Sequence, residues 1–263
     1  MTTILQITDT HIARDGVLVS GRLDTAAALA RLIDRIKSIR AQIGTIDAVL
    51  VSGDLSDDGS AQSYVRFKAQ LAPLDLPLLV IPGNHDARAP MRASFADQFS
   101  KVGPLDWATR IGDLKIIGLD TLVEGAGKGT LSAQSLTFLQ TALAQTKDMP
   151  TLLALHHPPF RSGIGFMDDI GLTNSDEFRD VVADHTGPLR IVCGHIHSMM
   201  VADVGGHIAI SAPSPCSTFS YDLRDDAPVG FNTLEDGCLV HTWDAGFQTI
   251  RIGPDAGSGP FPF

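Results

Sequence analysis

The 263-residue chain is 44% hydrophobic and 19% charged, which excludes a disordered or fibrous protein and leaves one large domain or two small ones with a full core. Thirty acidic residues against twenty basic give a net charge of −10, which argues against general nucleic-acid or membrane-surface binding. An anionic substrate would have to be attracted by something other than net charge, and a metal can do that.

Short apolar runs predict strands at residues 4–7, 48–52, 78–81, 115–119, 152–155, 190–193, 207–210, 230–234 and 238–243. The early ones are nearly all apolar, as in strands covered on both faces. Between them, Leu29, Leu32, Ile33, Ile36, Ile39 and Ile43 recur at spacings of three and four, which predicts an amphipathic helix over 24–43. Further helices are expected at 60–71 and 89–99. Another should start at Ser132 as cap, with Leu131 packing on Leu136, and another at Asn174, with Glu177 three residues on. Residues 160–173 read as a glycine-rich loop overhanging a site, and 253–263 as an irregular tail. The order is β-α-β-α to about residue 200 and mostly β afterwards. One domain spanning 1–263 is expected, with a core at 1–200 and a β region at 201–252. It should be an α/β sandwich whose C-terminal strands complete the second sheet.

The opening MTTILQITDTHI has no charged segment, long apolar stretch or small-residue cleavage site, and no run reaches about 18 apolar residues. Cys193, Cys216 and Cys238 form no CxxC pair and read as buried thiols in a reducing compartment. A cytoplasmic protein without membrane insertion is expected.

Five clusters repeat one design, an apolar run followed by metal-type ligands. They are LQITDTHI (Asp9, His11), VLVSGDLSDDG (Asp54), LVIPGNHDAR (Asn84, His85), LLALHHPP (His156, His157) and RIVCGHIH (His195, His197). In extended chain, residues i and i+2 face one side, so Asp9 with His11 and His195 with His197 can each face one cavity. Gly53, Gly83 and Gly194 each precede a proposed ligand and permit a sharp turn or close approach. Singly, each cluster has an ordinary reading: a cap, a turn, or a strand stopped by prolines. Five in one chain, each at the end of an apolar run, point to a metal site. A set of imidazoles, carboxylates and an amide without thiolate suits Zn, Mn, Fe or Co, and seven ligands suit two ions sharing a carboxylate.

The series Asp-x-His, Gly-Asp, Gly-Asn-His-Asp, His-His-Pro-Pro, Gly-His-x-His resembles the calcineurin-like metallophosphoesterase superfamily over residues 5–197. HHPPF with GLTNSDEF, CGHIH and APSPCSTF resembles its class III cyclic nucleotide phosphodiesterase branch, which includes bacterial cyclic-AMP and glycerophosphodiester phosphodiesterases. The resemblance implies a four-layer α-β-β-α sandwich and two divalent or trivalent ions (Fe, Mn, Zn or Co). Asp9, His11 and His197 would hold the first, Asn84, His156 and His195 the second, and Asp54 would bridge them. His85 would stabilise the phosphate's developing charge and protonate the leaving oxygen. Asp86 would hold a histidine in one tautomer, and His157, Arg161 and Asn174 would lie behind the ligands or against substrate. The implied activity is hydrolysis of a small-molecule phosphodiester by a metal-activated hydroxide, in a homo-oligomer. A phosphomonoesterase or phosphoprotein phosphatase and a non-catalytic interaction module are the alternatives. Phe166 is placed near the mouth. Trp107 and Trp243 read as packing, Met167, Asp168 and Asp169 as loop, and His185, His207 and His241 as surface or strand positions.

Overall fold

The structure, a computed structural model, describes residues 1–145, 147, 149–254, 257 and 261. Most of the tail at 253–263 lies outside the described residues. In chain order the elements are β1 (Thr2–Ile7), α1 (Thr25–Ser38), α2 (Arg40–Ile43), β2 (Ala48–Ser52), α3 (Ala61–Leu71), a 3₁₀ turn (Ala72–Leu74), β3 (Leu78–Ile81), α4 (Arg88–Ser94), β4 (Trp107–Ile111), β5 (Leu114–Gly118), α5 (Ala133–Ala144) and β6 (Thr151–Ala154). There follow α6 (Gly165–Asp169), α7 (Ser175–Ala183), β7 (Leu189–Cys193), β8 (Met200–Val204), β9 (His207–Ser211), β10 (Cys238–Trp243) and β11 (Phe247–Ile252).

Among the described residues the strands form two sheets, ordered β11-β10-β1-β2-β3 and β4-β5-β6-β7-β9-β8. β1, β2 and β3 pair parallel with one another, as do β5, β6, β7 and β9, while β4, β8, β10 and β11 make the antiparallel pairs. The side-chain period of two explains the layering. On the second sheet, Ile116, Leu152, Ala154 and Val192 join one core with Ile4, Leu50 and Val51 of the first sheet. Their neighbours Ile117, Leu153, Ile191 and Cys193 point the other way and pack with Leu139 and Leu143 of α5 and Phe178 and Val182 of α7. Leu29, Leu32 and Ile36 of α1 and Phe67 of α3 cover the first sheet. The result is two sheets face to face with helices outside each.

The C-terminal strands divide between the sheets. β9 joins the second, as expected, together with β8, for which no strand was expected, but β10 lies beside β1 and carries β11 into the first. The expected strand at 230–234 is reduced to one bridge, Thr218 to Asn232. The helix over 24–43 breaks at Ile39, and the one expected at 89–99 ends at Ser94. Ser132 caps α5 by accepting from the Ser135 N–H. Asn174 precedes α7 without a side-chain cap. Its Oδ1 instead accepts from Leu131 N, and its Nδ2 donates to Leu131 O, tying two loops. No helix among the described residues is long and apolar enough to cross a membrane.

Candidate metal centre

The loops after β1, β2, β3, β6 and β7 open at one edge of the sandwich, and the residues they carry meet there. Asp9 Oδ1 lies 3.3 Å from His197 Nε2, which lies 3.2 Å from His11 Nε2. Asn84 Oδ1 lies 3.1 Å from His156 Nε2 and 3.0 Å from His195 Nδ1. Between the two groups stands Asp54, whose Oδ2 is 3.6 Å from His11 Nε2 and 3.5 Å from His156 Nε2. All of these but Asn84, which is half-buried, are buried.

The backbone delivers them by a route that extended-chain geometry does not describe. β1 has ended at Ile7, and Asp9, His11, Asp54, His195 and His197 all take left-handed backbone, with φ of 52°, 43°, 50°, 71° and 51°. A non-glycine residue rarely sits there, and such strain gathers at functional sites. Backbone hydrogen bonds hold it in place: Asp9 N donates to Gly53 O, His11 N to Asp54 O, and Gly194 N to His156 O. Gly53 has φ 100°, and a Cβ there would come 2.2 Å from His156 Nδ1. At Gly194 a Cβ would meet Thr8 Oγ1 at 2.2 Å and Asp9 Oδ2 at 2.7 Å. Both positions must be glycine so that neighbouring loops can touch.

Three of the four imidazoles have the far nitrogen hydrogen-bonded. His156 Nδ1 donates to Ser52 O (2.9 Å), His195 Nε2 donates to Ile170 O (3.1 Å), and His197 Nδ1 pairs with Ser217 Oγ (2.9 Å). With those tautomers, His156 Nε2 and His195 Nδ1 present bare lone pairs to the Asn84 oxygen and to Asp54. Lone pairs packed at hydrogen-bond distance need a proton or a cation between them. Without a cation a proton takes the role. Burial disfavours the His156 imidazolium, but Asp54 and Asp9 outweigh it and raise His156 to about 9. Burial likewise disfavours the Asp54 carboxylate, yet His156, His11 and His85 hold it well below the usual range. Four imidazoles, two carboxylates and an amide oxygen facing one another suit transition-metal ions, and the distribution into two groups around Asp54 suits a pair of them.

The remaining residues sort by contact. His85 donates its backbone N–H to Asp54 Oδ1 (2.8 Å), and its half-exposed ring faces the cavity with Nδ1 3.1 Å from Asp57 O and 3.5 Å from Asp57 Oδ1. Asp57 Oδ1 also stands 3.3 Å from His11 Nδ1. Asp57 was not picked out from the sequence, where DDG reads as a turn; its spacing of three from Asp54 is the signal it offers. Asp86 holds no histidine. Its carboxylate accepts from the N–H groups of Gly83, Leu55 and Ser56 and from Tyr64 Oη, clasping the loops after β2 and β3 together. Burial and the nearby Asp54 charge raise it to about 6 against the pull of those donors. His157 is buried between Thr121 Oγ1 and Gly127 O with its ring against His195, and burial and the neighbouring His156 push it down to about 3.

A cavity of about 180 Å³ opens over the imidazoles. The residues lining it include His11, Asp54, Asp57, Asn84, His85, His195 and His197, with Phe166 among the apolar ones. A larger cavity of about 380 Å³ lies beyond Met167 and is lined by Arg161 and Arg179 but no imidazole. Arg161 therefore faces away from the cluster, paired with Asp168. The segment 160–173 contains α6 rather than being loop throughout.

The profile of the calcineurin-like phosphoesterase family matches residues 2–199. A probable glycerophosphodiester phosphodiesterase, GpdQ, of Arcobacter nitrofigilis is 31% identical over 265 residues, covering 99% of this chain and 96% of that protein. A 3',5'-cyclic adenosine monophosphate phosphodiesterase, CpdA, of Pseudomonas aeruginosa is 33% identical over 223 residues, covering 84% and 79%. The crystal structure of a dimetal phosphatase from Danio rerio superposes with TM-score 0.68 at 16% identity over 95% of this chain and 98% of that one, a likeness of fold. Five ligand-bearing loops at one sheet edge and a family match across three quarters of the sequence lead to the same statement: the chain belongs to the calcineurin-like phosphoesterases, a family of hydrolases.

Proposed function

We propose that the protein hydrolyses small-molecule phosphodiesters with two transition-metal ions, drawn from Fe, Mn, Zn and Co. Asp9, His11 and His197 hold one ion, Asn84, His156 and His195 hold the other, and Asp54 bridges. The observation that carries this reading is the position of Asp54 Oδ2, within 3.6 Å of one imidazole group and 3.5 Å of the other. Bound there, the ions supply Lewis acidity at the phosphoryl oxygens and acidify a water nucleophile.

The protein's own groups do the rest. Asp57 engages His85 Nδ1, which leaves Nε2 turned to the cavity to give a proton to the departing oxygen. The His85 N–H on Asp54 keeps that acid in register with the bridge. A diester is favoured over a monoester by charge: among the described residues, no lysine or arginine lines the cavity to grip a monoester dianion. The names of the two relatives, both diesterases, support the same choice. A cytoplasmic setting is supported by three unpaired, buried cysteines, and a homo-oligomer by the family resemblance alone.

Steady-state rates of metal-reconstituted protein on bis-p-nitrophenyl and mono-p-nitrophenyl phosphate test this. A diester preference is expected, and His85→Ala should bind both ions while turnover drops about a hundredfold. Preference for the monoester would make the protein a phosphatase. A metal-free, inactive protein after expression with added Mn and Fe would make it an interaction module.

A further inference from the structure

The cavity over the imidazoles has two unlike walls. Besides its polar residues, the cavity is lined by Phe166, Phe219 and Phe231, with Met167, Ile170, Val19 and Leu23. The three phenyl rings are half-buried, Phe166 and Phe219 against the cluster of Ile164, Met167 and Ile196 and Phe231 against that of Ala13, Val19 and Leu23. The Phe219 ring lies 4.8 Å from the His197 ring at 39°, so the apolar wall begins where the imidazoles end. Phe166 meets Phe219 edge-on at 5.3 Å and 79°.

This wall is built, not draped. Thr218 and Asn232 exchange both backbone hydrogen bonds, at 3.0 and 2.8 Å, and that lone bridge sets their neighbours Phe219 and Phe231 at the cavity from two otherwise irregular segments. α6, which carries Phe166, is fixed at both ends. Ahead of it, the Asp168 carboxylate accepts from Ser162 N, Ser162 Oγ and Gly163 N. Behind it, Ile170 O accepts from His195 Nε2. The same imidazole that faces Asn84 thus anchors the phenyl wall.

The chemistry of the wall selects an occupant. Its polar groups are Ser20 and Ser217, and the Ser217 hydroxyl is engaged by His197 Nδ1. Glycerol hydroxyls placed there would lose water without gaining partners. With no lysine or arginine lining the cavity among the described residues, and Asp57 among the residues that do line it, a second anionic group is disfavoured as well. A flat, uncharged aromatic ring loses nothing and stacks.

Resting on the diesterase reading above, we propose that Phe166, Phe219 and Phe231 form the substituent subsite and select phosphodiesters that carry a planar aromatic ring, such as a nucleobase, over glycerol diesters. The test compares two monoesters of equal phosphate charge, adenosine 5'-monophosphate and glycerol 3-phosphate, binding to the metal-loaded full chain by calorimetry. In parallel, kcat/KM is measured for a purine 3',5'-cyclic nucleotide and for glycerophosphoethanolamine. The aromatic ligand should bind at least about tenfold tighter. Phe219→Leu, and separately Phe166→Leu and Phe231→Leu, which do not touch an imidazole, should shrink that ratio and the ratio of kcat/KM severalfold. A wild-type binding ratio near one, or leucine variants that weaken both ligands equally, overturns the subsite. If no diester is hydrolysed but the binding ratio holds and the leucine variants erase it, the subsite stands and the diesterase reading falls.

Discussion

Asp57 Oδ1 sits 3.5 Å from His85 Nδ1, and the Asp57 carbonyl is closer still, at 3.1 Å. The same carboxylate oxygen reaches His11 Nδ1 at 3.3 Å. One side chain therefore steadies the proposed acid and, from behind, a proposed ligand. Outer carboxylates of this kind orient imidazoles and raise their basicity. Asp57→Asn is expected to lower kcat by about ten- to a hundredfold with the fold intact. Stopped assays paired with metal analysis check it; turnover within twofold of wild type would remove Asp57 from the machinery.

The Asp54 prediction separates assembly from chemistry. Two imidazole groups face one carboxylate oxygen, so Asp54→Ala removes the shared partner of both. Metal content and activity should fall together, and adding Mn should raise the melting temperature of wild type but not of the variant, because a ligand stabilises only a fold that binds it. A variant that keeps two ions per chain would contradict a bridging role.

Much of this site was legible before folding, and for a physical reason. Metal-binding side chains come from a short set of residue types, and here they follow buried strands, so the ends of apolar runs marked Asp9, Asp54, Asn84, His156 and His195. Asp9 and His11 come together through left-handed backbone rather than as an extended pair, because loop-to-loop hydrogen bonds override local preference. Phe219 ends the APSPCSTF stretch and Phe231 lies in the expected strand 230–234, but nothing in the sequence pairs them at the cavity, since a single bridge in irregular chain has no periodicity to read. The strands β8 and β11 escaped notice because they lie at sheet edges and expose alternate residues, Val201 and Ile250 among them. Asp86, expected to hold a histidine as outer carboxylates do, is instead buried as the acceptor for three backbone donors and the Tyr64 hydroxyl.

That clasp predicts a stability effect. Asp86→Ala leaves the N–H groups of Gly83, Leu55 and Ser56 and the Tyr64 hydroxyl without their acceptor in a buried place. Each unsatisfied group costs roughly 1–3 kcal/mol, and partial relaxation and water entry bring the expected loss to about 3 kcal/mol. Urea unfolding measures it. Because the clasp joins the loops of Asp54 and Asn84, metal affinity should weaken in the same variant; a loss under about 1 kcal/mol with unchanged affinity would show the clasp to be idle.

His241, read from sequence as a surface or strand position, is a strand residue only 1% exposed, and it supplies the pH prediction. Its Nε2 donates to Gln6 Oε1 (2.8 Å), and Thr249 Oγ1, which accepts from Arg190, donates to its Nδ1 (2.9 Å). Gln6 passes the chain on, donating to Ser52 Oγ and, across to the second sheet, to Cys193 O. Every partner is satisfied by the neutral imidazole. Burial first, and the Arg190 charge second, push His241 down to about 3. The unfolded chain protonates this histidine near pH 6.5, so above that pH neither state binds the proton and no cost arises. As pH falls from about 6.5 toward 3, the unfolded state takes up a proton that the folded state refuses, and stability is lost at about 1.4 kcal/mol per pH unit, roughly 3 kcal/mol by pH 4. His241→Gln lowers stability at pH 7 by cutting the polar chain but flattens that acid slope. Parallel slopes for wild type and variant between pH 4 and 6.5 would mean that His241 accepts its proton inside the fold.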